Sequence, residues 1–259
     1  MGKYRKLARQ PLVFALAEFR FSQVLQIEEY IPEYQELLRK SYPLTETVQE
    51  HAIKVGDKSV DLRQRSRWAF LSADRRNVVT LDQDRLIFFT TDYPRFEGFA
   101  SECLSALELF VKLVEPELLL RIGLRYGDLI KIGDGEKLED YVDPYFDYPK
   151  LAIPLGTPEY QRDEVGIRTD VGRLLIRSIY GDSNLVSLPD IQGIPGLPQP
   201  EKSSSNRIIL DFDHVWSADE EPTRFDIGHI EKTLAKMHET ARDAFWRITT
   251  DDAKDNKWS

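Results

Sequence analysis

Asp211, Asp213 and His214 stand together in RIILDFDHVW (207–216). Two carboxylates beside an imidazole are the residue types of a divalent-metal site or of a general acid–base pair. The run that carries them alternates apolar and polar residues, which reads as a β-strand. Alternation sends Ile208, Leu210, Phe212, His214 and Trp216 to one face and Asp211 and Asp213 to the other. His214 therefore points away from both aspartates and reads as a core histidine that needs a hydrogen-bond partner.

The same reasoning in LRIGLRYGD (120–128) leaves Arg121 and Arg125 opposite an apolar face of Leu120, Ile122, Leu124 and Tyr126. In PLVFALAEFRF (11–21), Glu18 and Arg20 share a face. If these strands lie in one sheet, Glu18, Arg20, Arg121, Arg125, Asp211 and Asp213 meet on its side away from the helices. Opposite charges in such numbers are expected to form an ion-pair network. An anion- or ligand-binding face and a metal-dependent hydrolytic site are the alternatives, and the sequence assigns no metal or cofactor.

Other chemical signatures are missing: there is no GxxxxGK[ST], HExxH or GxSxG pattern. Gly133–Asp134–Gly135 reads as a turn. His229 and His238 are about half a turn out of phase on one helix and cannot share a metal. Cys103, the only cysteine, falls on an apolar helix stripe and excludes an intramolecular disulfide, a zinc finger or a CxxC redox pair.

With 259 residues and a formal charge of -9, the chain is expected to build a large core and to repel polyanions, so nucleic acid is an unfavoured partner. Arg63, Arg65 and Arg67 fall on one side of DLRQRSRW and read as a solvated strand face. No apolar run approaches a membrane span, and the start MGKYRKLARQ lacks the apolar core of a signal peptide. A cytoplasmic chain without membrane attachment is the expectation.

Periodicity predicts a strand over 11–21, a helix over 28–42, and strands near 47–55, 60–72 and 76–91, with Asp82–Gln83–Asp84 at the turn of the last pair. A second helix is expected from Arg95 to Val114, ended by Pro116. The second half repeats the order: a long strand over 117–132, a short helix near KLEDYV, a hairpin turning around Asp170–Gly172, the aspartate strand and a last helix striped by Ile230, Leu234, Met237 and Ala241. AEFRF (17–21) resembles GLRYG (123–127), and PRF (94–96) resembles TRF (223–225), which suggests two duplicated β-α-β-β-β-α halves, 1–115 and 116–259. The expected fold is α+β, an antiparallel-rich sheet with long helices packed on one face. Between hairpin and aspartate strand, 182–206 holds four prolines, two glycines and three consecutive serines. It reads as a flexible loop, disordered rather than a lid, and as dispensable for folding.

PLVFALAEFRF, LLRIGLRYGDLIKI, LDFD and ITTDDAKDNKW occur in that order and together resemble an uncharacterised, sporadically distributed prokaryotic protein family of about this length. The family's pattern falls on Glu18, Arg20, Arg121, Arg125, Asp211 and Asp213. It departs at the end, where DDAKDN precedes Trp258 in place of a leucine-bearing form. The resemblance brings no activity. Its patchy distribution implies an accessory in a mobile-element or defence operon, so the expected function is a non-enzymatic interaction or regulatory module whose partner is another protein. The alternative is a divalent-metal hydrolase using the Asp211/Asp213 face.

Overall fold

A computed structural model describes residues 4–56, 59–143, 159–191, 193–218 and 223–259, with the side chains of 48–65 set aside. Strands β1 (Leu12–Phe21), β2 (Leu44–Gly56), β3 (Ser59–Leu71), β4 (Asn77–Asp82) and β5 (Arg85–Thr90) belong to the first half, with helices α1 (Ile27–Leu38) and α2 (Phe96–Val114). The second half adds β6 (Leu118–Lys131), β7 (Tyr160–Thr169), β8 (Gly172–Ser183), β9 (Ser205–Ser217), β10 (Thr223–Arg224) and helix α3 (Ile227–Ile248). The fold is α+β, as expected. Its single sheet of 10 strands runs β2-β3-β4-β5-β1-β6-β9-β8-β7, with β10 beside β6 and every pairing antiparallel. The two halves join at its centre, where β1 pairs with β6.

Alternation explains how the sheet is covered. Ala15, Ala17, Phe19 and Phe21 of β1 join Ile122, Leu124 and Tyr126 of β6 and Ile208, Leu210 and Phe212 of β9 in one core cluster. The buried residues of the three helices, among them Tyr34, Phe99, Phe110, Leu234 and Met237, complete it. Helix α2 stops where Glu115 takes a left-handed φ of 49° ahead of Pro116. Asp226 caps α3, its carboxylate accepting from the backbone N–H of Gly228 at 2.7 Å and His229 at 3.2 Å. No described helix is long and apolar enough to cross a membrane.

Part of the other face of the sheet is covered by the described residues of 184–204, which pack on it rather than standing off as the loop that composition suggests. The stretch runs as a strap in which Val186, Ser187, Leu188, Ile191 and Leu197 are buried. Ile191 and Leu197 pack with Phe14, Leu16, Val78, Ile87 and Phe89 in a second cluster. Its two ends are tied by Arg207, 1% exposed, which donates to the Leu185 carbonyl at 2.9 Å and to the Glu201 carboxylate at 3.1 Å. Gly196 sits at φ +85°, where an added Cβ would come within 2.8 Å of the Arg75 carbonyl oxygen. Only glycine fits that turn.

The closing ITTDDAKDNKW also packs inward. Ala253, Lys254 and Trp258 are buried, and Trp258 lies 5.9 Å from Phe245 and 6.2 Å from Tyr141 between ring centres.

Arg207→Gln should lower stability by about 1–3 kcal/mol, because it strands the Leu185 carbonyl and leaves Glu201 to Lys131 alone. A short Gly/Ser linker in place of 185–200 should lower the melting temperature further. Denaturant unfolding checks both, and parent-like melting of the linker variant would show that the strap is dispensable after all.

Candidate functional site

The six residues singled out by alternation do share the face beneath the strap, in two clusters. Glu18 takes one: its carboxylate is 3.1 Å from Arg20, 3.4 Å from Arg121 and 3.5 Å from Arg85. Asp211 takes the other, accepting from Arg125 Nε at 2.6 Å and from Arg177 Nη2 at 2.7 Å. Asp213 lies 3.5 Å from Arg177. Asp190, from a one-turn 3-10 helix in the strap (Pro189–Ile191), closes the second cluster, accepting two parallel hydrogen bonds from Arg125 at 2.9 and 3.0 Å and one from Arg177 at 3.3 Å.

Register accounts for the pairing. Arg125 stands directly across from Asp213 and diagonally from Asp211. Asp211 faces Gly127 on one side and Arg177 on the other. Gly127 has no side chain, and the Phe14 ring takes the place of its Cβ, which would fall 2.0 Å from that ring; Arg125 reaches diagonally to Asp211 beside it. Burial raises the Asp211 carboxyl above its ordinary value, and the two guanidiniums offset part of that rise. Burial also pushes Asp190 up, but its bonds to Arg125 and the nearby Arg177 outweigh this and hold it below the usual range.

Strap and face enclose a cavity of about 250 Å³ lined by Arg67, Arg85, Arg121 and Arg125 with Glu18, Asp190 and Asp213. Each of these guanidiniums already has a carboxylate within 4 Å: Arg67 and Arg85 have Asp82 at 3.7 and 3.0 Å, and Arg121 and Arg125 are paired as above. Glu18 and Asp82 are each shared between arginines, so the acids offset most but not all of the positive charge, and Arg121 Nε is buried without a hydrogen-bond partner. The side chains of Arg63 and Arg65 lie outside the described residues. No group of three or more His, Cys, Asp or Glu among the described residues is placed to hold a metal ion.

His214 sits on the helix side as alternation requires, with Nε2 2.8 Å from Thr169 Oγ1 and Nδ1 3.3 Å from the Met237 carbonyl oxygen. Cys103 is buried and free, its thiol pushed far up by burial. His229 and His238 are indeed apart, on Trp216 and on Phe96 respectively.

A second cavity, about 180 Å³, opens on the helix side between the N-terminal segment, the start of α2, and α3. His238 stacks on Phe96 at 4.2 Å with the rings 1° from parallel, and its Nδ1 is 3.0 Å from the Tyr126 hydroxyl. Burial, then the nearby Arg242 charge, lowers its pKa to about 4, so the ring is neutral. At the floor is Asp128, 4% exposed, with no hydrogen bond or ion pair to any described residue. Burial, reinforced by the Asp211 charge, raises its pKa from 3.8 to about 8. The alternation that put Leu124 and Tyr126 toward the helices puts Asp128 there too, so this residue was within reach of the sequence argument, which stopped at Tyr126. Asp190 offered no such signal, because it lies in a stretch without periodicity.

No protein-family model matches the chain, and no curated protein sequence does either.

Two outcomes follow from these geometries. Asp211→Asn should destabilise the fold by about 1–4 kcal/mol, since Arg125 and Arg177 would remain buried with their compensation reduced; chemical denaturation reads this directly. Asp128 carries the opposite sign. Between pH 3.8 and 8 the folded chain holds a proton on Asp128 that the unfolded chain has released, so stability falls as pH rises through that window. Asp128→Asn should therefore melt above the parent at pH 8.5, with a gap that shrinks toward pH 5, and a gap independent of pH would refute the assignment.

Proposed function

We propose that the chain is a non-enzymatic interaction module in which β7 docks a strand from a second copy and continues the antiparallel sheet across the pair. The observation that carries this reading is the state of β7. It ends the strand order, no described element pairs with its outer edge, and residues 164–168 are exposed on both faces. Tyr160, Val165 and Ile167 are among the most exposed large apolar residues of the described chain, at 74%, 45% and 40%. A long edge that no described element covers is a ready template for another strand.

The sequence of β7 fits itself. Antiparallel pairing about Gly166 sets Val165 opposite Ile167 of a second copy and Glu164 opposite its Arg168, each twice by symmetry. Arg162 then meets Asp170. Apolar residues thus meet on one face and opposite charges on the other.

The non-enzymatic part of the reading is supported by the charged face, where Asp211 and Asp213 are engaged by arginines rather than left as open ligands. A metal-dependent hydrolase would need those carboxylates turned toward a cation, and the guanidinium contacts weigh against it. The resemblance to a patchily distributed family adds an accessory role in a mobile-element or defence operon.

A duplicated origin belongs to the same reading. In the β1–β6 pair Leu16 faces Arg125 and Arg20 faces Arg121, so exchanging the strands about Glu18 and Gly123 carries Arg20 onto Arg125. The flanking strands then match, with Arg85 across from Arg20 and Asp213 across from Arg125. Buried Phe99, Cys103, Ala106 and Phe110 of α2 repeat the spacing of Ile230, Leu234, Met237 and Ala241 of α3.

Sedimentation equilibrium tests the docking. The parent should show a concentration-dependent dimer, Glu164→Arg should abolish it, and adding Arg168→Glu to that variant should restore it. A parent that stays monomeric at its highest soluble concentration, or a double swap that fails to recover the dimer, would overturn the proposal.

A further inference from the structure

The geometry points to the helix-side cavity as a binding site for a planar amino-oxo heterocycle of the guanine or pterin kind, held by its paired ring N–H and exocyclic amine on Asp128. Three observations converge on that chemistry, and none depends on β7. The first is Asp128 itself: a carboxylate offers acceptors only, and this one is buried at the cavity wall without a described donor. The ligand edge that best satisfies a carboxylate presents two parallel N–H groups.

The second is Arg242. Its guanidinium lies over the Tyr4 ring, 5.1 Å from the centroid, and makes no ion pair with a described residue; the Nε is out of reach of the cavity, so contact with a ligand falls to the terminal nitrogens. It lines the same cavity as Asp128, and no ion pair joins the two. A ligand that satisfies both must carry a donor edge and, elsewhere on its rim, an acceptor such as a ring carbonyl. A simple ammonium or amidinium ion satisfies only the first, and Arg242 repels it.

The third is the wall. Tyr93, Phe96, Tyr126 and Trp246 contribute aromatic surface, and the Tyr93 and Tyr126 rings meet edge to face at 5.6 Å. Such walls favour flat rings, which stack without loss of rotamer freedom. A volume of about 180 Å³ is near the roughly 150 Å³ known to accommodate a benzene ring in an apolar cavity. One or two fused rings match that space.

Isothermal titration of the full chain with guanine and hypoxanthine tests the site at pH 8.5, where the Asp128 carboxyl is ionised; pterin, whose ring N–H is more acidic than guanine's and must stay protonated to donate, is titrated at pH 7. Arg5, Lys6, Arg95, Glu97, His238, Arg242 and the hydroxyls of Tyr4, Tyr93 and Tyr126 share that cavity, so each titration is repeated at pH 6 to follow the carboxyl. Guanine or pterin should bind at least about tenfold more tightly than hypoxanthine, which lacks the exocyclic amine. Binding should weaken at pH 6 and disappear in Asp128→Leu, a variant that replaces an unpaired buried carboxyl with an apolar group and whose fold is checked by its melting curve. Asp128→Asn, which keeps one acceptor, should bind more weakly than the parent. The site is refuted if neither guanine nor pterin binds the parent, if hypoxanthine binds as well as guanine, or if a folded Asp128→Leu retains binding.

Discussion

Asp211 is 1% exposed and carries its carboxylate into the middle of a ten-stranded sheet, and much of the structure is arranged around compensating it. Three adjacent strands take part: β9 supplies the acid, and β6 and β8 supply Arg125 and Arg177 on either side. Two arginines on one carboxylate leave an excess of positive charge, which Asp190 offsets from above. The strap is therefore held electrostatically at its middle, by apolar contacts through Ile191 and Leu197, and at its ends by Arg207. Buried ion pairs offset their desolvation only when every group finds partners. Here the partners come from sequence positions as distant as 125, 177, 190 and 211, so the network also specifies which strand lies beside which.

Much of this was legible in the sequence because strand alternation is a strict rule. It placed Glu18, Arg20, Arg121, Arg125, Asp211 and Asp213 on one face and His214 on the other. It does not rank diagonal against direct neighbours, and so does not show that Arg125 bonds diagonally to Asp211 while Asp213 turns to Arg177. Asp128 was accessible to the same rule. An acid on an apolar stripe is a local inconsistency, and such inconsistencies concentrate at sites.

The strap shows where composition misleads. Prolines, glycines and serines signal a chain that forms no regular ladder, and apart from the single turn at Pro189–Ile191 it forms none. Lack of ladder is not lack of packing. Val186, Leu188, Ile191 and Leu197 are single apolar residues at irregular spacing, invisible to a periodicity argument; all four are buried, and Ile191 and Leu197 cover an apolar patch of the sheet beneath. Fixed prolines reduce the entropy lost when such a segment settles.

The central pairing of β1 with β6 has a consequence for synthesis. Leu12 to Phe21 leave the ribosome about a hundred residues before their partner, so one edge of that strand is paired only when Leu119 to Asp128 have followed. Helices α1 and α2 and the β2–β5 hairpins can form in the interval, while β1 waits with a long open edge. Contacts this distant in sequence slow the final closure of a sheet and lengthen the time in which nascent chains can pair with one another. A chaperone that shields extended apolar segments would find its most lasting target in PLVFALAEFRF.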